Sequence, residues 1–224
     1  MNFCRTILLT ISLLIFYAGL GGALLRADEI GSWNKYQVEK RLNERWKVYT
    51  GEEVRFRERT GFYYEETSVG LNYQALKHLA VGAVYLQTHS GTTKNGRTSW
   101  QWISKPKVYV TPQVYFKGFS LEDRNSLEYH FIHDQRDILL YRNMVSLTAP
   151  WKWTRLEFRP YTANEIFKET DRGGISEDRL YGGFKMHWWG PIYGRIFYLR
   201  DATNNSSGQW NILNVIGSDL DFIF

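Results

Sequence analysis

An alternation of period two runs through most of this chain and leaves few folds open to it. In "SWQWISKPKVYVTPQVYF" the even positions are Trp100, Trp102, Ser104, Pro106, Val108, Val110, Pro112, Val114 and Phe116. The odd positions are Gln101, Ile103, Lys105, Lys107, Tyr109, Thr111, Gln113 and Tyr115. Successive side chains of a strand point to opposite faces, so one face is apolar and the other polar. The tight turn Lys117-Gly118 follows. Then "FSLEDRNSLEYHF" sets Phe119, Leu121, Leu127, Tyr129 and Phe131 against Glu122, Arg124, Ser126, Glu128 and His130. Near the start, "WKVYTGEEVRFR" sets Trp46, Val48, Val54 and Phe56 against Lys47, Glu53, Arg55 and Arg57. Near the end, "LYGGFKMHW" sets Leu180, Phe184, Met186 and Trp188 against Lys185 and His187.

About eleven such segments follow one another, each of the 9–11 residues a tilted membrane strand requires. They begin near Trp33, Trp46, Phe62, Leu79, Trp100, Phe119, Ile138, Leu156, Leu180, Ile192 and Trp210. Over the second half the connections alternate between polar and longer ("SGTTKNGRT", "HDQRD", "TDRGGISEDR", "DATNNSSG") and shorter and Trp-rich ("KG", "APWKWT", "WWGP"). Long outer loops and short periplasmic turns mark outer-membrane barrels. Two termini on one side require an even number of strands. The expectation is therefore an all-β, antiparallel transmembrane barrel of 10–12 strands, with the segment near Trp33 the candidate for lying outside the wall. The nine tryptophans stand at or near segment ends, as interfacial aromatic girdles do. The last strand ends "SDLDFIF", with Leu220, Phe222 and Phe224 on one face. That pattern resembles the C-terminal signal read by the barrel assembly machinery, which is the expected partner together with outer-membrane lipid.

The N-terminus reads as a secretory signal. Arg5 precedes the apolar run from Ile7 to Leu25, and cleavage is expected after Ala27. This divides the chain into a signal peptide, 1–27, and a barrel, 28–224. The alternative is an uncleaved anchor, since the run is long enough to span a bilayer. The sole cysteine, Cys4, lies in the signal, so no disulfide is expected in the mature chain. The chain has 28 basic and 23 acidic residues, a net charge of +5, and losing Arg5 and Arg26 with the signal leaves +3. A mild, unclustered excess excludes a nucleic-acid partner. An aromatic content of 17% excludes disorder.

Carried through the alternation, the inner face holds Glu53, Arg55, Arg57, Glu66, Lys105, Lys107, Glu122, Arg124, Glu128, Arg142, Glu157, Arg159, Glu165, Lys185 and Arg195. Rings of charge in a water-filled pore select solutes. The same charges, paired across the lumen, fill it. Eight strands give a filled barrel and 16–18 a channel, so size alone leaves both readings open. The near balance of signs favours pairing. The functional expectation is a narrow or gated channel for a small solute, or a structural barrel with ligand-binding outer loops.

No catalysis, metal or cofactor is expected. "THSGTTKNGRTSW" faintly resembles an outer-membrane phospholipase motif, and a lipid-active enzyme is the first alternative. His89 and Ser90 are adjacent, however, and adjacent strand residues point to opposite faces. Asn95, Gly96 and Arg97 read as a turn, and Ser99 approaches His89 only if a hairpin brings it there. His130 and His133 also face apart, while His78, His89 and His187 are scattered, so no ligand cluster forms. The second alternative, a soluble periplasmic lipocalin-like carrier, requires the opposite polarity, apolar inside and polar outside.

The mature chain resembles an uncharacterised bacterial family, a domain of unknown function predicted to be an outer-membrane β-barrel. The resemblance runs through "GSW" (Trp33), "RFR" (Arg55, Arg57), "GLNY" (Gly70, Tyr73) and "GAVY" (Gly82, Tyr85). It continues in "DRNSLEYH" (Arg124, Asn125, Glu128, Tyr129), "YRN" (Arg142), "RPYTANEIF" (Pro160, Glu165, Phe167) and "RLYGG" (Arg179, Tyr181, Gly183). It implies fold and bacterial outer-membrane location, and no activity.

Overall fold

Eleven strands close on themselves into a barrel. A computed structural model describes residues 29–224 apart from 95, 96, 134, 172 and 206; the expected signal peptide lies outside the described residues. The strands are β1 (Glu29–Arg41), β2 (Trp46–Arg57), β3 (Gly61–Leu76), β4 (Leu79–Lys94), β5 (Arg97–Phe116) and β6 (Phe119–Ile132). They continue as β7 (Ile138–Thr148), β8 (Arg159–Glu169), β9 (Glu177–Trp189), β10 (Ile192–Asn204) and β11 (Trp210–Ile223). Each neighbour in sequence pairs antiparallel, and β1 closes the barrel on β11 in parallel, from Glu29 opposite Leu213 to Glu39 opposite Ile223.

This closure resolves the parity question. The segment near Trp33 belongs to the wall as β1. An odd count is accommodated because the seam is parallel, which puts Glu29 and Phe224 at opposite rims. The assumption that both termini share a side is what fails. Phe224 is tied to the end of β1, its N–H donating to the Glu39 carbonyl and its carbonyl accepting from the Arg41 N–H. The Phe224 rim carries connections 42–45, 77–78, 117–118, 149–158 and 190–191, and at the opposite rim β2, β4, β6, β8 and β10 end.

Local chemistry accounts for the turns and irregularities. Lys117 and Gly118 both have positive φ, 46° and 82°. That is the left-handed pair a two-residue hairpin needs to match strand twist. In β5, Pro106 and Pro112 have no N–H to give, and the β5–β6 pairing skips both while keeping one register. A bulge at Arg55/Phe56 places Arg55 opposite Tyr64 and Phe56 opposite Phe62. Tyr63 is the extra residue and turns inward, where Trp33 Nε1 donates to its hydroxyl at 3.0 Å. Strand β8 begins at Arg159, three residues beyond the expected Leu156. Thr154 and Glu157 have φ of 66° and 50°, and these kinks hold 149–158 as a connection.

Polarity is inverted relative to a soluble protein. The outer wall shows Val69, Val108, Val114, Leu127, Leu180 and Ile216, the last 69% exposed. The lumen buries Glu128, Glu165 and Arg179 beside an apolar cluster of Trp33, Tyr161, Ala163, Tyr181, Phe197, Leu199, Leu213 and Val215. Small residues seat these rings: a Cβ at Gly217 would overlap the Phe197 ring, and one at Gly70 the Tyr49 ring. Exposed tryptophans collect at the rims, Trp46, Trp188 and Trp189 at the Phe224 end and Trp100, Trp102 and Trp210 at the other. Trp33 departs from the girdle pattern. It is 5% exposed and faces the lumen.

Candidate functional site: the ionic lumen

Register stacks the odd positions of β2 and β5 and the even positions of β3 and β6 on the inside, and these are the charged positions. They enclose a cavity of about 450 Å³. Of the inner-face residues expected from the sequence, Glu53, Arg55, Glu66, Lys105, Lys107, Glu122, Arg124, Glu128, Arg142, Glu165, Lys185 and Arg195 line this cavity. Arg57 sits nearer the rim, over the Tyr63 ring at 4.2 Å. Arg159 lies opposite Lys185 at the other end. Glu157 is not on the inner face. It belongs to the 149–158 connection, where it pairs with Lys152 at 2.7 Å.

One connected network occupies the middle of the lumen. Glu128 on β6 receives Lys107 of β5 at 2.8 Å, Arg142 of β7 at 3.1 Å and His130 at 3.2 Å. Arg142 continues to Glu165 of β8 at 2.5 Å. Glu165, 1% exposed, also accepts the Tyr181 hydroxyl at 3.0 Å and lies 3.6 Å from Arg179 of β9. Arg179 in turn holds Glu177 at 2.6 Å and Asp201 of β10 at 3.4 Å. Its guanidinium lies 4.8 Å from the centre of the Trp33 ring on β1 and 4.5 Å from that of Phe167. Arg55 of β2 is stacked at 3.8 Å on Trp33 and 3.9 Å on Tyr64, with Glu53 accepting its Nε–H at 2.6 Å. Tyr64 of β3 donates to Glu66, which also accepts from Thr88 of β4 at 2.9 Å and Lys105 of β5 at 3.1 Å. The chain of contacts thereby touches β1 through β10, and Arg195–Asp219 joins β10 to β11.

Such a network suits a closed lumen. Buried charges are costly unless paired and hydrogen-bonded, and carboxylates that accept from two or three donors satisfy that condition. Guanidinium stacking on rings adds about 0.5–2 kcal/mol per contact, more where water is excluded.

Several members were not singled out from the sequence. Asp201 reads as part of a polar loop, "DATNNSSG", although its parity with Arg195, Phe197 and Leu199 carries the signal. Arg179, opposite in phase to Leu180, was legible in the same way. The inward turn of Tyr63 depends on a bulge that has no such signal.

The Ser–His arrangement considered for catalysis does not assemble. His89 faces outward, stacked on Trp102 at 4.1 Å and 8° and tilted on Trp100 at 4.6 Å. Ser90 follows the inner face. Ser99 pairs with Thr92, and its hydroxyl donates to the Thr92 carbonyl at 3.3 Å. Asn95 and Gly96 lie outside the described residues.

Residues 30–212 match the family described as "Protein of unknown function (DUF2490)". Among solved structures, LpxR from Salmonella typhimurium matches with a TM-score of 0.52 at 11% sequence identity, covering 84% of this chain and 87% of that one. At that identity the likeness shows the fold alone. No curated protein matches the chain.

Proposed function

The chain belongs to the DUF2490 family of proteins of unknown function, and we propose that it is an outer-membrane barrel whose lumen is sealed by its own ionic network, working as a non-enzymatic structural or binding barrel rather than an open pore. The observation that carries this is the network from Arg55 through Trp33, Arg179, Glu165, Arg142 and Glu128 to Lys107, which spans the lumen with mutually satisfied charges. The apolar outer wall supports lipid as its surroundings, since Lys or Arg on a lipid face costs about 2–4 kcal/mol at the midplane. The inverted polarity counts against a soluble carrier. The rim with Phe224 and the two-residue turns faces the periplasm in this reading, and the barrel assembly machinery acts on Leu220, Phe222 and Phe224. A small solute enters by that rim or binds at the outer loops.

Fractionation tests the placement. The reading expects the chain in the outer-membrane fraction, running faster on a denaturing gel before boiling than after. Recovery in the soluble periplasmic fraction, with one mobility, would refute it.

A lipid-active enzyme is the second reading, favoured by one feature. Glu52, Thr67, Gln87 and Ser104 lie on one outward-facing register row across β2–β5. Thr67 donates to Glu52 at 2.8 Å and Ser104 to Gln87 at 2.9 Å. Release of fatty acid from outer-membrane lipid by the wild type, lost in Ser104→Ala and His89→Ala, would favour this reading over the first.

A further inference from the structure

The middle of the lumen and its Phe224 end are charged differently. In the middle, one register row runs Glu165, Arg179, Asp201 across β8, β9 and β10, alternating in sign. Nearer the Phe224 rim, another row runs Arg159, Lys185, Arg195, Asp219, Lys35 across β8, β9, β10, β11 and β1. Its first three members are all cations, and beyond Asp219 and Lys35 the row reaches Glu53 of β2. Lys185 stands directly opposite Arg159 on one side and Arg195 on the other. Like charges facing each other across strands are destabilising, and a local conflict of this kind marks a functional demand.

The carboxylates at this end do not remove the excess. Asp219 is committed to Arg195. Glu122 accepts from Gln113 at 2.9 Å. Arg159 directs Nε to the Ala149 carbonyl at 3.2 Å, and Arg124 directs Nε to Thr111 at 3.4 Å. Lys185 sits 5.6 Å from the centre of the Tyr161 ring. The charged groups acting on it are Glu122, Arg195, Arg159 and Arg124, one acid against three bases. On the β1 side of this end Asp221, Glu39 and Glu53 stand with Lys35 and Lys47, so the cationic excess is local to Lys185.

A second, independent feature lies at the same place. The Tyr161 hydroxyl is buried and has no hydrogen-bond partner among the described residues, while the residue is only 5% exposed and lines the cavity with Lys185, Arg195 and Arg124. A buried donor without an acceptor costs about 1–3 kcal/mol. Beside Lys185 and Arg195 the Tyr161 hydroxyl offers a donor, so an anionic acceptor fits this place.

We propose that Tyr161, Lys185, Arg195 and Arg124 form a binding site for a phosphate-type oxyanion at the Phe224 end of the lumen. Arg195 keeps one arm on Asp219 and offers the other. Lys185 supplies a compact charge, and the Tyr161 hydroxyl donates to a phosphate oxygen. A phosphate monoester or inorganic phosphate carries about −1.5 to −2 at neutral pH and presents several acceptor oxygens to these donors. The site stands on lumen geometry alone, so it is separable from the sealed-barrel reading.

The test uses the folded barrel in octyl glucoside, a detergent without phosphate. Its thermal midpoint is followed with inorganic phosphate against chloride of equal ionic strength, and affinity by calorimetric titration. Wild type is expected to gain stability with phosphate, as any ligand of the folded state does. Tyr161→Phe removes the orphan hydroxyl, and Lys185→Gln removes the facing charges. Both are expected to leave the phosphate-free midpoint unchanged or raised, and to weaken phosphate by at least about tenfold, the order of one charge-assisted hydrogen bond. A boiled-against-unboiled gel checks that each variant is closed. Dihexanoyl phosphatidate is run in parallel. A response to inorganic phosphate assigns a soluble ligand, and a response to phosphatidate alone assigns a lipid headgroup; either supports the site. No response beyond chloride with either probe, or an equal response in wild type and both variants, would overturn it.

Discussion

Replacing Glu128 by glutamine tests the network at a carboxylate contacted by three basic side chains. Glu128 is 3% exposed and is contacted by Lys107, Arg142 and His130. Arg142 keeps Glu165 in the variant. Lys107 keeps no carboxylate contact among the described residues. Breaking a buried pair by removing one partner costs about 3–5 kcal/mol, because the other charge is left buried. At about 1.4 kcal/mol per decade, that is two to nearly four decades in the unfolding equilibrium constant. Glu165→Gln is expected to cost less, since Arg142 retains Glu128 and Arg179 retains Glu177 and Asp201. The double variant Lys107→Met, Glu128→Leu is expected to recover most of the loss, as apolar replacement of a whole buried pair often does. The assay is urea unfolding of the refolded barrel in detergent, followed by tryptophan fluorescence. If Glu128→Gln shifts the midpoint no more than Glu157→Gln at the exposed connection, the network carries no such energy and the reasoning fails.

Other outcomes follow from the same geometry. Phe224→Asp puts a charge on the outward face of the last strand and is expected to lower the yield of heat-shifted barrel in the outer membrane; a normal yield would remove the assembly role of this terminus. Val108→Lys, on the apolar outer wall, is expected to cost about 2–4 kcal/mol in lipid vesicles, with a smaller cost in detergent. Gly217→Val drives a side chain into the Phe197 ring and is expected to reduce folded yield, with Phe197→Ala, Gly217→Val restoring part of it. In the 149–158 connection, the hydrogen bond from Lys152 holds the Glu157 carboxyl below its ordinary range. A depressed folded value stabilises above the unfolded value and is lost as pH falls through the folded one. Lys152→Ala is therefore expected to move the Glu157 titration upward, read by NMR.

Much of this arrangement can be read from the chain. The alternation around Lys105, Lys107, Glu122 and Glu128 fixes strands and faces together, and Lys117-Gly118 fixes the hairpin between them. Twelve of the fifteen residues expected on the inner face line the cavity, and their strands have one clearly apolar face. In β1 neither face is: Trp33, Lys35, Gln37 and Glu39 alternate with Ser32, Asn34, Tyr36, Val38 and Lys40. The inward position of Trp33 and the parallel seam were accordingly hidden. Glu157 was misplaced because alternation continues past the point where positive φ at Thr154 and Glu157 breaks the strand. A period-two pattern gives the face of a residue and not its height. That Arg179 meets Trp33, 146 positions away, depends on register summed around the closed wall.

A lumen closed by its ionic network passes no steady ion current, and conductance across a planar bilayer reads this. Barrel that shows heat-shifted mobility is expected to insert without steady conductance, and Glu128→Gln to admit at most brief openings. Steady, ion-selective conductance from the wild type would contradict the account and make Arg142 and Lys107 lining residues of an open pore.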